Sequence, residues 1–246
     1  MLARVSKLRH YSIRALDGAI GGVVNVFFDD QTWTVRYFVV ETGDWLRRRR
    51  VLISPIAVTA VDEGAHTVTM ELTRSQIAGS PRVETDMPLS RQMELKYRDY
   101  FSWPLYWTDT YLRAYGAGIQ SHRPRVVVNK PRVSREVRRE PLLKRMPNID
   151  PHLRSAGKVI GYAVIGSDLP AGRLDDVIID SSGWAIRSLI VHADAAPHAR
   201  VLLDPRLVVE IKWPTSSIIV RASRKEVASL PTYQAGDVGH VTLHRS

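Results

Sequence analysis

Asp29-Asp30 and Asp175-Asp176 are paired aspartates of this chain. Each pair falls where a strand is expected, so its members point to alternate faces and make a poor cation site. The eight histidines stand at 10, 66, 122, 152, 192, 198, 240 and 244, with no HExxH spacing. His192 and His198 share a loop with Asp194, where a histidine is ordinarily solvated. There is no Gly-rich phosphate loop and no nucleophile elbow. Cysteine is absent, which removes thiolate chemistry and disulfides. No acid–base pair, nucleophile or metal set is visible. An enzyme is the least supported class, and neither a cofactor nor a metal site is expected.

Two stretches have binding chemistry instead. Residues 97–115 hold eight of the nineteen aromatics, with Trp103, Tyr106 and Trp107 the candidate partner contacts. They suit either a satellite core or a docking surface, since Trp and Tyr are favoured interface anchors. Arg123–Arg145 carries nine Lys/Arg against Glu136 and Glu140, or +7, out of a net charge of +10 for the whole chain. Seven of the nine are Arg, and guanidinium pairs bidentately with phosphate or carboxylate. Arg132, Arg135, Arg138 and Arg139 are the candidates here. The stretch reads as a solvated spacer or as an anion-binding strap for RNA, an acidic protein face or an anionic membrane surface. No aromatic lies within residues 120–150, so RNA binding through it would be electrostatic and not sequence-specific.

Those stretches sit between two copies of one pattern. GGVVNVFFDDQTWTVRYFVV (Gly21–Val40) returns 151 residues later as GRLDDVIIDSSGWAIRSLIV (Gly172–Val191). Gly21/Gly172, Val26/Val177, Asp29/Asp180, Trp33/Trp184, Arg36/Arg187 and Val40/Val191 are identical. Each copy reads as two strands around a turn, with the Asp bonding the turn backbone. Each Trp reads as a cap on the core or as an exposed partner anchor. The match continues at an offset of 150: RVLISPIAV (50–58) with RVLLDPRLV (200–208), and TRSQIAGSP (73–81) with SRKEVASLP (223–231). Pro55 marks an edge or a bend. Thr73 with Gln76, and Ser223 with Glu226, suit capping boxes of one-turn helices. Val26, Phe28, Val35, Phe38, Val40, Leu52, Val58 and Leu72 are the expected core of the first copy. A helix is expected over residues 88–101, stopped by Ser102-Trp103-Pro104.

This order of motifs resembles the PRC-barrel domain. The carriers are the Gly and Asp before the turn, a run such as RYFVV, the strand–Pro–strand segment and the final Leu-Pro-like close. That domain is shared by the cytoplasmic part of the photosynthetic reaction centre H subunit and by a ribosome-maturation factor. The resemblance covers both copies, roughly 150 of 246 residues. Arg91, Glu94 and Tyr97, then Trp103, Pro104, Tyr106 and Trp107, resemble the tail of its soluble bacterial members. It implies small barrels used as docking modules, without a general catalytic motif.

The expectation is an all-β protein with two PRC-barrel-like domains, at 1–81 and 156–231. A helix and aromatic tail (82–119), a Pro/Arg-rich linker (120–155) and a C-terminal tail (232–246) complete it. No run of eighteen apolar residues is present, and residues 1–18 lack the apolar core of a signal peptide. A cytoplasmic location follows as the expectation. The expected function is a non-enzymatic adaptor or assembly module for protein partners. The alternative is an RNA- or ribosome-associated factor acting through the basic linker.

Overall fold

The protein is described from a computed structural model covering residues 2–81, 100–101, 152–196 and 199–234. The first half contains β1 (Leu2–Arg4), α1 (Val5–Leu8), β2 (Ser12–Ala15), β3 (Gly18–Asp29) and β4 (Thr34–Thr42). It continues through β5 (Arg50–Ile53), β6 (Val58–Asp62), β7 (Thr67–Met70) and α2 (Arg74–Gly79). The second half repeats that order. It holds β8 (Leu153–Ser155), α3 (Ala156–Val159), β9 (Ala163–Ile165), β10 (Pro170–Asp180) and β11 (Ala185–Ala193). It ends with β12 (Arg200–Leu203), β13 (Val208–Lys212), β14 (Ser217–Val220) and α4 (Arg224–Ala228).

The fold is mostly β, with only short helices. Its strands form one fourteen-stranded sheet in the order β13-β14-β9-β10-β11-β4-β3-β2-β7-β6. The order is an open path, with β13 and β6 at its ends. The expectation of two barrels held apart by a spacer differs from this arrangement, because the halves meet in a shared sheet. The second half also begins earlier than expected: β8 lies in the segment assigned to the linker.

Local chemistry explains why the same elements form twice. In the β3–β4 turn, Asp29 Oδ1 accepts hydrogen bonds from the backbone N–H groups of Gln31 and Thr32, each at 2.9 Å. Asp180 does the same for Ser182, at 3.0 Å from its N–H and 2.7 Å from its hydroxyl. Each carboxylate also pairs with the Arg seven residues on, Arg36 at 3.4 Å and Arg187 at 2.7 Å. These contacts account for the recurring Asp and Arg as turn fixtures. Gly21 and Gly172 recur because the partner strand passes too close for a side chain. A Cβ at either would collide with a backbone carbonyl oxygen, that of Glu41 or of His192. Pro55 and Pro205 open 3-10 turns, the bends expected there, behind Ser54 and Asp204 as N-caps. Both expected capping boxes are formed.

Seven of the eight expected core residues are buried, and Val58 is half-buried. Phe27, Tyr37 and Val39 are buried as well, so β3 and β4 are covered on both faces. An alternating pattern assumes one solvated face. These strands lose that face because the other half packs beside them. Buried residues of both halves form one contiguous core cluster.

Candidate functional site

The N-terminal strand of each half crosses to the other half. β1 pairs antiparallel with β10: Leu2 faces Asp180, Ala3 faces Ile179 and Arg4 faces Ile178. β8 pairs antiparallel with β3: Leu153 faces Asp29, Arg154 faces Phe28 and Ser155 faces Phe27. Both sides of this exchange follow the 151-residue offset, so the register is the same in each. The exchange is reciprocal, and the two halves are related by an approximate two-fold.

Side chains hold each strand in its borrowed place. Asn25 Oδ1 accepts from the Gly157 N–H at 3.0 Å, and Asn25 Nδ2 donates to Ser155 Oγ at 2.8 Å. Asp176 occupies the equivalent place and accepts from the Ser6 N–H at 3.2 Å and from the Ser6 hydroxyl. Arg4 Nε stands 3.9 Å from Asp176. One end of the seam has an added charge cluster. Asp30 Oδ2 accepts from Arg154 Nε at 2.5 Å, and Asp30 Oδ1 lies 3.0 Å from His152 Nδ1. His152 Nε2 is 3.1 Å from Gln31 Nε2. The two ring nitrogens of His152 thus face Asp30 and Gln31. Burial raises the Asp30 carboxyl above the ordinary carboxylate value, and Arg154 and His152 pull it back only in part. The cluster fastens β8 to the end of β3.

The two Trp residues lie at the centre of the seam. Thr34 pairs with Ala185 there, which joins β4 to β11. Both Trp residues adopt the left-handed region, Trp33 at φ 53° and Trp184 at φ 54°. That conformation costs a bulky residue on the order of 1–3 kcal/mol. Each places its carbonyl on the opposite half. Trp33 stacks on Phe28 of its own half, with centroids 5.8 Å apart. Trp184 crosses to Phe38 of the first half, edge to face at 4.8 Å. Of the two readings made from sequence, both side chains fit packing against the core.

The expected partner-binding residues Trp103, Tyr106, Trp107, Arg132, Arg135, Arg138 and Arg139 lie outside the described residues. So do residues 88–99 of the expected helix, although Tyr100 and Phe101 at its end are helical. Phe101 is buried in the core, and Tyr100 is 43% exposed with its hydroxyl against Gly79. Arg49 fixes the end of α2 beneath, donating to the carbonyls of Ala78 (2.8 Å) and Ser80. Tyr100 and Phe101 are therefore anchored on the first half.

Sequence reasoning weighed Asp30 only as a cation ligand and did not connect it to His152 or Arg154, so it missed the strand exchange. A faint signal existed, since Leu2/Leu153, Lys7/Lys158 and Tyr11/Tyr162 share the 151-residue offset. Neighbouring Asp175 is bound at 2.7 Å by Arg200 Nε. Among the described residues, no three His, Asp or Glu gather as a metal would require. No helix among them is long and apolar enough to cross a membrane.

No curated protein matches the chain. Residues 2–77, from β1 into α2, match the family model of the PRC-barrel domain.

Proposed function

We propose that the protein is a non-enzymatic adaptor that docks protein partners in the cytoplasm. Its body is a pair of PRC-barrel-like units fused in one chain, the second spanning residues 153–231. The common register of β1 on β10 and of β8 on β3 supports the second unit. One observation carries the docking role. Phe101 is seated in the core while Tyr100, one residue before it, remains 43% exposed. The chain is thus held at Phe101, two positions before Trp103 in the sequence, and an anchor so near in the chain limits the ordering cost of engaging a partner through Trp103, Tyr106 and Trp107.

The test is affinity capture with the full chain and with a triple variant, Trp103→Ala, Tyr106→Ala and Trp107→Ala. The adaptor reading requires a protein partner that the full chain retains and the variant loses. Equal capture by both overturns it.

A second reading, an RNA- or ribosome-associated factor, rests on the +7 charge of Arg123–Arg145. It requires nucleic acid that co-purifies with the native protein and binding that weakens steeply with salt. Replacing Arg132, Arg135, Arg138 and Arg139 with Ser should abolish that binding. The same four-fold replacement reports on an acidic protein face or an anionic membrane surface as the strap's ligand.

A further inference from the structure

The two ends of the sheet have diverged although the halves share one plan. β6 and β13 are the end strands, and each pairs with one neighbour among the described residues. At the 150-residue offset, Thr59, Ala60, Asp62 and Glu63 correspond to Val209, Glu210, Lys212 and Trp213. The second half has thus exchanged polar groups for apolar ones at both ends of its edge. Val209 is 57% exposed, and Trp213, the first residue of the turn after β13, is 43% exposed. Between them Glu210 and Lys212 share the outer surface, with their charged atoms 3.7 Å apart. A bulge between Val208 and Glu210 takes Val209 out of alternation, which lets it emerge beside them.

The order Val209-Glu210-Ile211-Lys212-Trp213 is self-complementary. Set antiparallel against itself about Ile211, it places Glu210 opposite Lys212 twice and brings the exposed Val209 and Trp213, which flank the regular ladder, together at each end. Opposite charges and apolar pairs across strands are the stabilising combinations. The other end strand lacks this property, since the same operation about Val61 sets Ala60 against Asp62 and Thr59 against Glu63. Pairing β13 with a neighbour's β6 in that register sets Asp62 against Glu210, two like charges. Like charges directly opposite are destabilising, which counts against the head-to-tail contact that would grow into a filament.

We propose that the β13 edge of the second half is the docking surface for a second copy of this chain, closing an antiparallel, two-fold dimer through residues 209–213. The contact is small, so the dimer is weak and depends on concentration. It stands independently of the partner reading above, which concerns the aromatic tail of the first half.

The experiment is sedimentation of the full chain over a wide concentration range. The wild type is expected to pass from monomer to dimer. Glu210→Lys alone, or Lys212→Glu alone, sets like charges opposite each other twice and should weaken the dimer by about tenfold or more. The combined Glu210→Lys/Lys212→Glu variant restores both opposed pairs and should recover wild-type association. Trp213→Glu, which installs the first-half residue, should weaken it as well. Melting temperature and circular dichroism check that each variant is folded. Amide exchange of 209–213 in the wild type gives a second readout, with protection expected to rise with concentration. A monomer at every concentration, with unchanged exchange, assigns the edge to another occupant and overturns the proposal. So does a dimer that ignores the single reversals.

Discussion

The Val35 N–H donates to the carbonyl oxygen of Trp184 at 2.7 Å, and the Ile186 N–H donates to the carbonyl oxygen of Trp33 at 2.7 Å. These two bonds flank the approximate two-fold that relates the halves. They lie where strained Trp backbones turn their carbonyls towards the other half, so the strain and the junction coincide.

Strand exchange makes the two halves one cooperative unit. Denaturation followed by tryptophan fluorescence and by circular dichroism should show one coincident transition. Two separated transitions would mean that the halves unfold independently and that the exchanged strands contribute little.

The shared register has a second consequence. Residues 1–81 produced alone retain β1 but lose β10, and the place of β8 on β3 becomes vacant. β1 of a second copy can fill that place in the same register. The fragment should therefore sediment as a strand-exchanged dimer, and deletion of residues 1–4 should abolish it. A folded, monomeric fragment would contradict this.

Arg154→Ala removes the stronger partner of the buried Asp30 carboxylate. At neutral pH the loss should be about 3 kcal/mol, the usual scale for breaking a buried pair. The carboxyl is already raised by burial in the folded state, so the folded protein holds its proton at higher pH than the unfolded chain does. Protonation relieves the unpaired charge. The cost of the substitution should shrink as pH falls into the carboxylate range, as denaturant unfolding at neutral and acid pH would reveal. A cost independent of pH would separate Arg154 from the Asp30 charge.

Asp180 has the opposite sign. Burial opposes its ionisation, yet hydrogen bonds from Arg187 and Ser182 outweigh burial and hold its carboxyl well below the ordinary range. Its contribution is present above the unfolded value of about 4 and is lost as pH falls through the lower folded value. Asp180→Asn should therefore destabilise the protein at neutral pH, and the difference from wild type should narrow in acid. Melting temperatures across that range provide the measurement.

Leu52 and Leu202 correspond in sequence, yet Leu52 is fully buried and Leu202 only partly buried beside Ile178, Ile190 and Tyr233. Leu52→Ala should cost about 2–5 kcal/mol, and Leu202→Ala clearly less. Equal losses in chemical denaturation would show that the two sites are packed alike.

Much of each half is determined by residues close together in the chain. Asp29 and Asp180 bond N–H groups two or three residues on, and Thr73 and Ser223 cap helices that start at the next residue. Such contacts need only local spacing, so turns, hairpins and capping boxes were legible in the sequence. The seam was not legible. Asp30 meets Arg154 across 124 residues, and Ser6 meets Asp176 across 170. No periodicity specifies which strand edge a three-residue segment such as Leu2–Arg4 will pair with. Burial of both faces of β3 and β4 was hidden for the same reason. An apolar residue on a strand shows that it can be covered, while only the tertiary structure decides which half covers it.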